Sequence, residues 1–163
     1  EDRKQFNASQ LIAKKEVHFY DAQFECKAVF HELNKGLDNN NSNVIFENTK
    51  FLKLADFWKA SFNDVSFEKA DFEGIAVFTK TIFNKYMEFK YTRFDQQLVF
   101  NRTIFKTGFD FHEALFDTKN VVFSDVTFQG EAKHKATYQL IKYILSNKFN
   151  NIIEVIKVSQ NVK

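Results

Sequence analysis

The chain contains no proline, one cysteine, one methionine, one tryptophan and only four glycines among its 163 residues. A single cysteine, Cys26, excludes an intramolecular disulfide and any cysteine-based zinc cage. The glycines, Gly36, Gly74, Gly108 and Gly130, stand apart from one another, so no phosphate-cradling loop is present. No run of eighteen apolar residues exists, so nothing in this chain spans a bilayer as a helix. An excess of one charge is also lacking. Lys plus Arg number 23 against 21 Asp plus Glu, a net +2, which gives no reason to expect nucleic acid or an anionic membrane as partner. The sequence opens Glu1-Asp2-Arg3-Lys4 without an initiator methionine, which suggests a product from which a signal peptide or a tag was removed.

What the chain has in excess is phenylalanine: 22, against 5 tyrosines. Sixteen recur at steps of five to seven residues, from Phe46, Phe51, Phe57 and Phe62 through Phe111, Phe116, Phe123 and Phe128. A step of five fits neither the 3.6 period of a helix nor the period of two of a flat strand. It fits a solenoid whose short segments each turn a corner and send one ring inward. Two residues before each ring the side chain is small or aliphatic almost throughout: Thr49, Ala55, Ala60, Val65, Ala70, Ala76, Thr81, Met87, Thr92. Alternation along a strand places it on the same side as the ring, while the Asp, Asn, Lys, Glu and Ser between them face outward.

This pattern resembles the pentapeptide-repeat family, whose unit is Ala-Asp/Asn-Leu/Phe-X-X. Ala55-Asp56-Phe57-Trp58-Lys59 and Ala70-Asp71-Phe72-Glu73-Gly74 match the unit outright, and most other units match at the centre and two residues before it. The resemblance implies a right-handed quadrilateral β-helix with four units per coil. Sorted by fours, the rings fall into columns headed by Phe46, Phe51, Phe57 and Phe62, with a vertical step of 21 to 23 residues. A step of six or seven always separates the second column from the third, so one corner is expected to be wider. Phe19, Phe24 and Phe30 continue the rhythm upstream, with Leu33 or Leu37 expected to replace the missing fourth ring. Residues 36–43 are polar turn chemistry and read as an extruded loop.

The expected fold is therefore an all-β solenoid of about five coils over residues 17–130, preceded by a cap over residues 1–16 and closed by a C-terminal α-helical cap in the helical segment over residues 131–163. Ala8, Leu11, Ile12 and Val17 have roughly helical spacing and predict a short cap helix. Ala136, Leu140, Ile141, Ile144 and Leu145 form a stronger helical stripe, and the surrounding stretch resembles the helix that follows the repeats in many bacterial members of the family.

One outward feature departs from a solvated prism. On the third face the residues before the rings include Val29, Val77, Val99 and Val122, and on the fourth Ile82 and Ile104. Such an aliphatic patch calls for a cover. It would dock Leu140, Ile141, Ile144 and Leu145 of the C-terminal helix, a second copy in a homodimer, or another protein; strand propensity alone is a further explanation. Beside it Lys59, Lys80 and Arg102 predict a basic ladder, either a solvated edge or a contact for an anionic partner. His18, His31, His112 and His134 show no metal-ligand spacing, and His112 with Asp110 and Glu113, near Glu88, is the one tight cluster. The reading names no catalytic, metal or cofactor residue.

The function expected is a rigid, non-enzymatic scaffold that binds an unknown protein partner or itself. An alternative is the soluble part of a bacterial envelope or membrane-tethered protein, so the compartment is cytoplasmic or extracytoplasmic. A second alternative comes from the resemblance: some pentapeptide-repeat proteins imitate DNA and bind type II topoisomerases. Between Val44 and Gly130, however, twelve acidic residues meet eleven basic ones, whereas mimicry needs a dense anionic surface. An ice-binding face is disfavoured because the threonines at the small position point inward in this register.

Overall fold

A computed structural model describes residues 4–35, 43–117 and 120–129. Those residues form twenty short parallel strands in four sheets. Strand β1 (Gln5–Asn7) comes first, and then the first full turn carries β2 (Glu16–His18), β3 (Gln23–Phe24) and β4 (Lys27–Val29). The second carries β5 (Asn43–Ile45), β6 (Lys50–Phe51), β7 (Ala55–Asp56) and β8 (Ser61–Phe62). The third carries β9 (Asp64–Ser66), β10 (Asp71–Phe72), β11 (Ala76–Val77) and β12 (Ile82–Phe83). The fourth carries β13 (Met87–Glu88), β14 (Arg93–Phe94), β15 (Leu98–Asn101) and β16 (Ile104–Phe105). The fifth carries β17 (Phe109–Asp110), β18 (Leu115–Phe116), β19 (Val121–Ser124) and β20 (Thr127–Phe128).

Each turn of chain contributes one strand to each sheet, apart from the missing fourth strand of the first turn. The first sheet holds β2, β5, β9, β13 and β17; the second β3, β6, β10, β14 and β18; the third β1, β4, β7, β11, β15 and β19; the fourth β8, β12, β16 and β20. The molecule is thus an all-β solenoid of about five coils, with no helix among the described residues. Register follows the rings: Phe51 pairs with Phe72 and Phe72 with Phe94, Phe83 with Phe105, and Phe100 with Phe123.

The columns pack as a herringbone. Down the first column Phe19, Phe46, Phe67 and Phe89 stack with centroids 4.9 Å apart and interplanar angles of 6°, 1° and 16°. Rings of the first and third columns meet edge to face, Phe46–Phe57 at 80° and Phe57–Phe67 at 81°. Both geometries suit the quadrupole of an aromatic ring, and twelve of the column rings are fully buried. The top coil is looser: Phe116 tilts 65° from Phe94 and is only half-buried, as is Phe123.

Corners alternate between two designs. After the first and third sheets the residue two beyond the ring has positive φ, 52–57°, as at Asn48, Lys59, Lys69, Lys80, Tyr91 and Arg102. In most of these turns the ring residue's carbonyl accepts from the amide three residues on, as in Ala60 to Phe57 at 3.0 Å and Ala70 to Phe67 at 2.9 Å. Positive φ at the third residue alone makes these type II turns, and every such step between rings is five residues. Among the described non-glycine residues, none at the ring-to-ring corners after the second and fourth sheets is left-handed, and these corners absorb the longer steps. The sequence reading placed the wide step after the second column only; Phe83 to Phe89 and Phe105 to Phe111 show that the fourth corner widens as well.

The threonines at the small position are inward and fully buried. Thr49 Oγ1 donates to the Phe19 carbonyl at 2.6 Å, Thr81 to Phe57 at 2.8 Å and Thr92 to Phe67 at 2.6 Å, tying each coil to a type II turn of the coil before it. An inward hydroxyl is thereby satisfied without water.

Two expectations near the N-terminus require correction. No helix covers residues 7–16: Gln5–Asn7 is strand β1, paired with β4, and the following residues are irregular. The open edge of β4 supplies backbone partners that ten residues of weak helical stripe cannot match. Phe6 stands over Ala28, exchanging the large and small positions, and packs 4.8 Å from Phe24. Leu33 is buried, but its carbonyl accepts from Ser61 as that of Ala60 accepts from Ile82, so Leu33 occupies the small column and not the ring column. Leu37, and most of the extruded segment, lie outside the described residues.

Candidate interaction surfaces

Aliphatic residues before the rings come together on one edge of the solenoid. Val77, Val99 and Val122 follow in register along the third sheet, and Ile82 and Ile104 along the fourth. All five are half-buried. Val29 is different, being 4% exposed, so it offers no surface. Asp56 follows it in the row, accepting from the Trp58 amide at 3.1 Å and meeting His31 Nε2 at 2.8 Å. The aliphatic strip therefore belongs to coils three to five.

Lys59, Lys80 and Arg102 occupy the left-handed position of the turn that joins the third sheet to the fourth. Their row lies between the two aliphatic rows instead of beside them. It is bracketed by acids: Glu32 occupies the same position one coil before Lys59 and Asp125 one coil after Arg102. Lys59 Nζ sits 4.0 Å from the centroid of the Trp58 ring and 3.5 Å from Glu32, and Arg102 Nε lies 3.7 Å from Asp125. A hydrogen bond from Lys35, with a smaller contribution from Lys59, holds the Glu32 carboxyl below its ordinary range.

A second surface was not foreseen. On the first sheet an open groove of about 300 Å³ runs over β5, β9 and β13. It exists because Ser66 is small between the larger Ile45 below and Glu88 above, its register neighbours. Glu47, Asp64 and Tyr86 wall it, and no basic residue lines it. Above it Asp110 is fully buried, accepting from its neighbour's turn amide at His112 at 2.8 Å and from Tyr86 Oη at 3.3 Å, with Lys90 Nζ at 3.9 Å. Burial, and then the carboxylates of Asp110 and Glu88, push the Tyr86 phenol well above its usual range. Lys90 is bonded to Glu88 at 2.7 Å, which raises its own pKa. The repeat register by itself places Glu47, Asp64, Ser66 and Glu88 at outward positions of the first column, so the sequence carries the signal for this sheet.

The expected His112 cluster forms only in part. The imidazole meets Glu113 at 3.5 Å, while Asp110 receives the His112 backbone amide and not its ring. Among the described residues no three His, Cys, Asp or Glu side chains are arranged to hold a metal ion. Leu140, Ile141, Ile144 and Leu145 lie outside the described residues.

Residues 46–93 match the family model described as pentapeptide repeats, in nine copies. The chain carries pentapeptide repeats. The matched stretch covers most of coils two to four, where the rings stack best; the ring columns described above continue on both sides of it. No curated protein matches the chain. No helix among the described residues is long and apolar enough to cross a membrane.

Proposed function

We propose that this protein is a non-catalytic, rigid scaffold that docks a protein partner along the edge between its third and fourth sheets. The observation that carries the reading is the in-register strip of Val77, Val99, Val122, Ile82 and Ile104 with Lys80 and Arg102 between its rows. Two apolar rows supply contact area, and the central cations select a partner whose matching surface is apolar and bears carboxylates. Residues 131–163 carry six lysines against two glutamates, so that segment is poorly matched to a cationic edge, as is a second copy aligned row on row. This disfavours both covers that the sequence reading had offered. A right-handed winding with four corners, as the family resemblance implies, would keep the strip straight along the stack.

The test is a photo-cross-linking side chain at Val99 in the intact chain, with Glu73, exposed beside the second sheet, as the control position. In extract of the source cells the reading expects one discrete heavier adduct from position 99, absent from position 73 and lost on Arg102→Glu. Equal labelling from both positions, or labelling indifferent to Arg102, overturns it. Light scattering on the purified chain across a concentration series adds an independent check: the reading expects a monomer, and a dimer dissociated by Val99→Asp would assign the edge to a second copy.

A further inference from the structure

Charge is distributed unevenly along the chain in a way that bears on the groove of the first sheet. Residues 1–130 hold seventeen Lys plus Arg and nineteen Asp plus Glu, whereas residues 131–163 hold six lysines and two glutamates. A net +4 segment therefore follows a net −2 solenoid. The groove is walled by Glu47, Asp64 and Glu88, and no basic residue lines it. Lys85 and Lys90 approach from its rim, at 3.4 Å from Asp64 and 2.7 Å from Glu88, and leave Glu47 to an incoming cation.

The path of the chain leads there. β20 is the last strand of the fourth sheet, and in coils two to four the chain passes from the fourth sheet directly onto the first. The groove lies one to three coils below that exit, about 5–15 Å at the ~4.8 Å spacing of neighbouring strands. Gly130 to Lys142 spans about 18 Å even at the ~1.5 Å rise of a helix, so Lys142 reaches the far end of the groove, while Lys133 and Lys135, nearer the exit, reach its upper part. Ile45 and the Tyr86 ring offer apolar surface to a lysine stem whose ammonium meets the carboxylates.

We propose that the groove over β5, β9 and β13 is the docking site for the basic segment that follows the solenoid, with Lys133, Lys135 or Lys142 seated among Glu47, Asp64 and Glu88. The inference is independent of the aliphatic edge, which lies on the other two sheets' shared corner. Its consequence is a self-covered acidic face that is open to an outside basic segment only when the chain's own is displaced.

Carbodiimide cross-linking of the intact chain at low salt, followed by peptide mass spectrometry, tests it, because the reagent joins only lysines and carboxylates in contact. The expected products have the mass of one chain and join Lys133, Lys135 or Lys142 to Glu47, Asp64 or Glu88. In a Glu47→Lys, Asp64→Lys variant the links to the unchanged Glu88 should fall several-fold. Ser66→Tyr, which fills the pit and keeps every native charge, should do the same should the reversal variant fold poorly by circular dichroism. Links from these lysines chiefly to other carboxylates, links found only in two-chain products, or Glu88 links unaffected by Ser66→Tyr would each overturn the proposal.

Discussion

Phe78 shows at residue scale what holds the coil together. It stacks on Phe57 at 4.8 Å, meets Phe67 and Phe89 edge to face, and has no exposed surface. Phe78→Ala should lower the unfolding free energy by about 3–5 kcal/mol through lost burial and a cavity that stacked neighbours cannot collapse into, measured by chemical denaturation. Gly74 is held by a different constraint: a Cβ there would lie 2.3 Å from the backbone carbonyl carbon and oxygen of Lys53 in the coil below. Backbone cannot yield as a side-chain tip can, so Gly74→Ala should cost on the order of 1–3 kcal/mol, the scale of overpacking. Tyr86 makes a prediction about pH. Its pKa is raised by burial and by Asp110 and Glu88, so above about pH 10 the unfolded chain releases a proton that the folded chain keeps. Stability from this group is therefore full below about pH 10 and is lost as pH climbs toward the folded value. Phenolate absorbance at about pH 11 should show one tyrosine still un-ionised in the native protein, and Tyr86→Phe should remove that difference.

At the scale of the element the informative unit is the corner. Type II turns after the first and third sheets place ordinary L-residues such as Lys80 at φ 57°. A β-branched residue is a poor occupant of that conformation and asparagine a good one. Lys80→Val should therefore destabilise by about 1–3 kcal/mol, while Lys80→Asn should leave the melting temperature unchanged or raise it. The other corners have no such requirement, and Asp95, Gln96 and Gln97 are all exposed. Inserting one glycine after Gln96 should be nearly silent in a thermal melt, whereas the same insertion after Lys80 should break the Thr81 pairing and lower stability markedly.

For the whole molecule, each coil touches only its neighbours, so stability is close to a sum of coil terms and interfaces between coils. The central coils have the tightest ring stacks, and the fifth has a tilted, half-exposed Phe116 next to an exposed Leu115. Hydrogen exchange should accordingly show protection highest at amides of β9 to β12 and lowest at β18. The two outer surfaces are whole-molecule properties as well. Val77 and Val99 are 22 residues apart in sequence and Ser66 and Glu88 likewise, yet each pair is adjacent in register, so a strip or a groove arises only when coils stack.

The sequence by itself determined the solenoid, the four ring columns, the inward threonines and the aliphatic strip, because every one of these follows from a fixed repeat whose errors would expose a phenylalanine. It also implied the charge asymmetry between residues 1–130 and 131–163. It did not determine the N-terminal strand: Ala8, Leu11 and Ile12 suggested a helical stripe, whereas Gln5–Asn7 pairs with the edge of β4 and the residues after it are irregular, which only the stacked coils decide. Nor could it show that Val29 is buried while Val99 is half-exposed at an equivalent repeat position, or that Lys80 lies between the aliphatic rows. Those depend on how much covers each coil and on which corner turns left-handed. The groove of the first sheet was likewise decided by tertiary structure: a small Ser66 is unremarked in a list of outward residues, and becomes a concavity only between Ile45 below and Glu88 above.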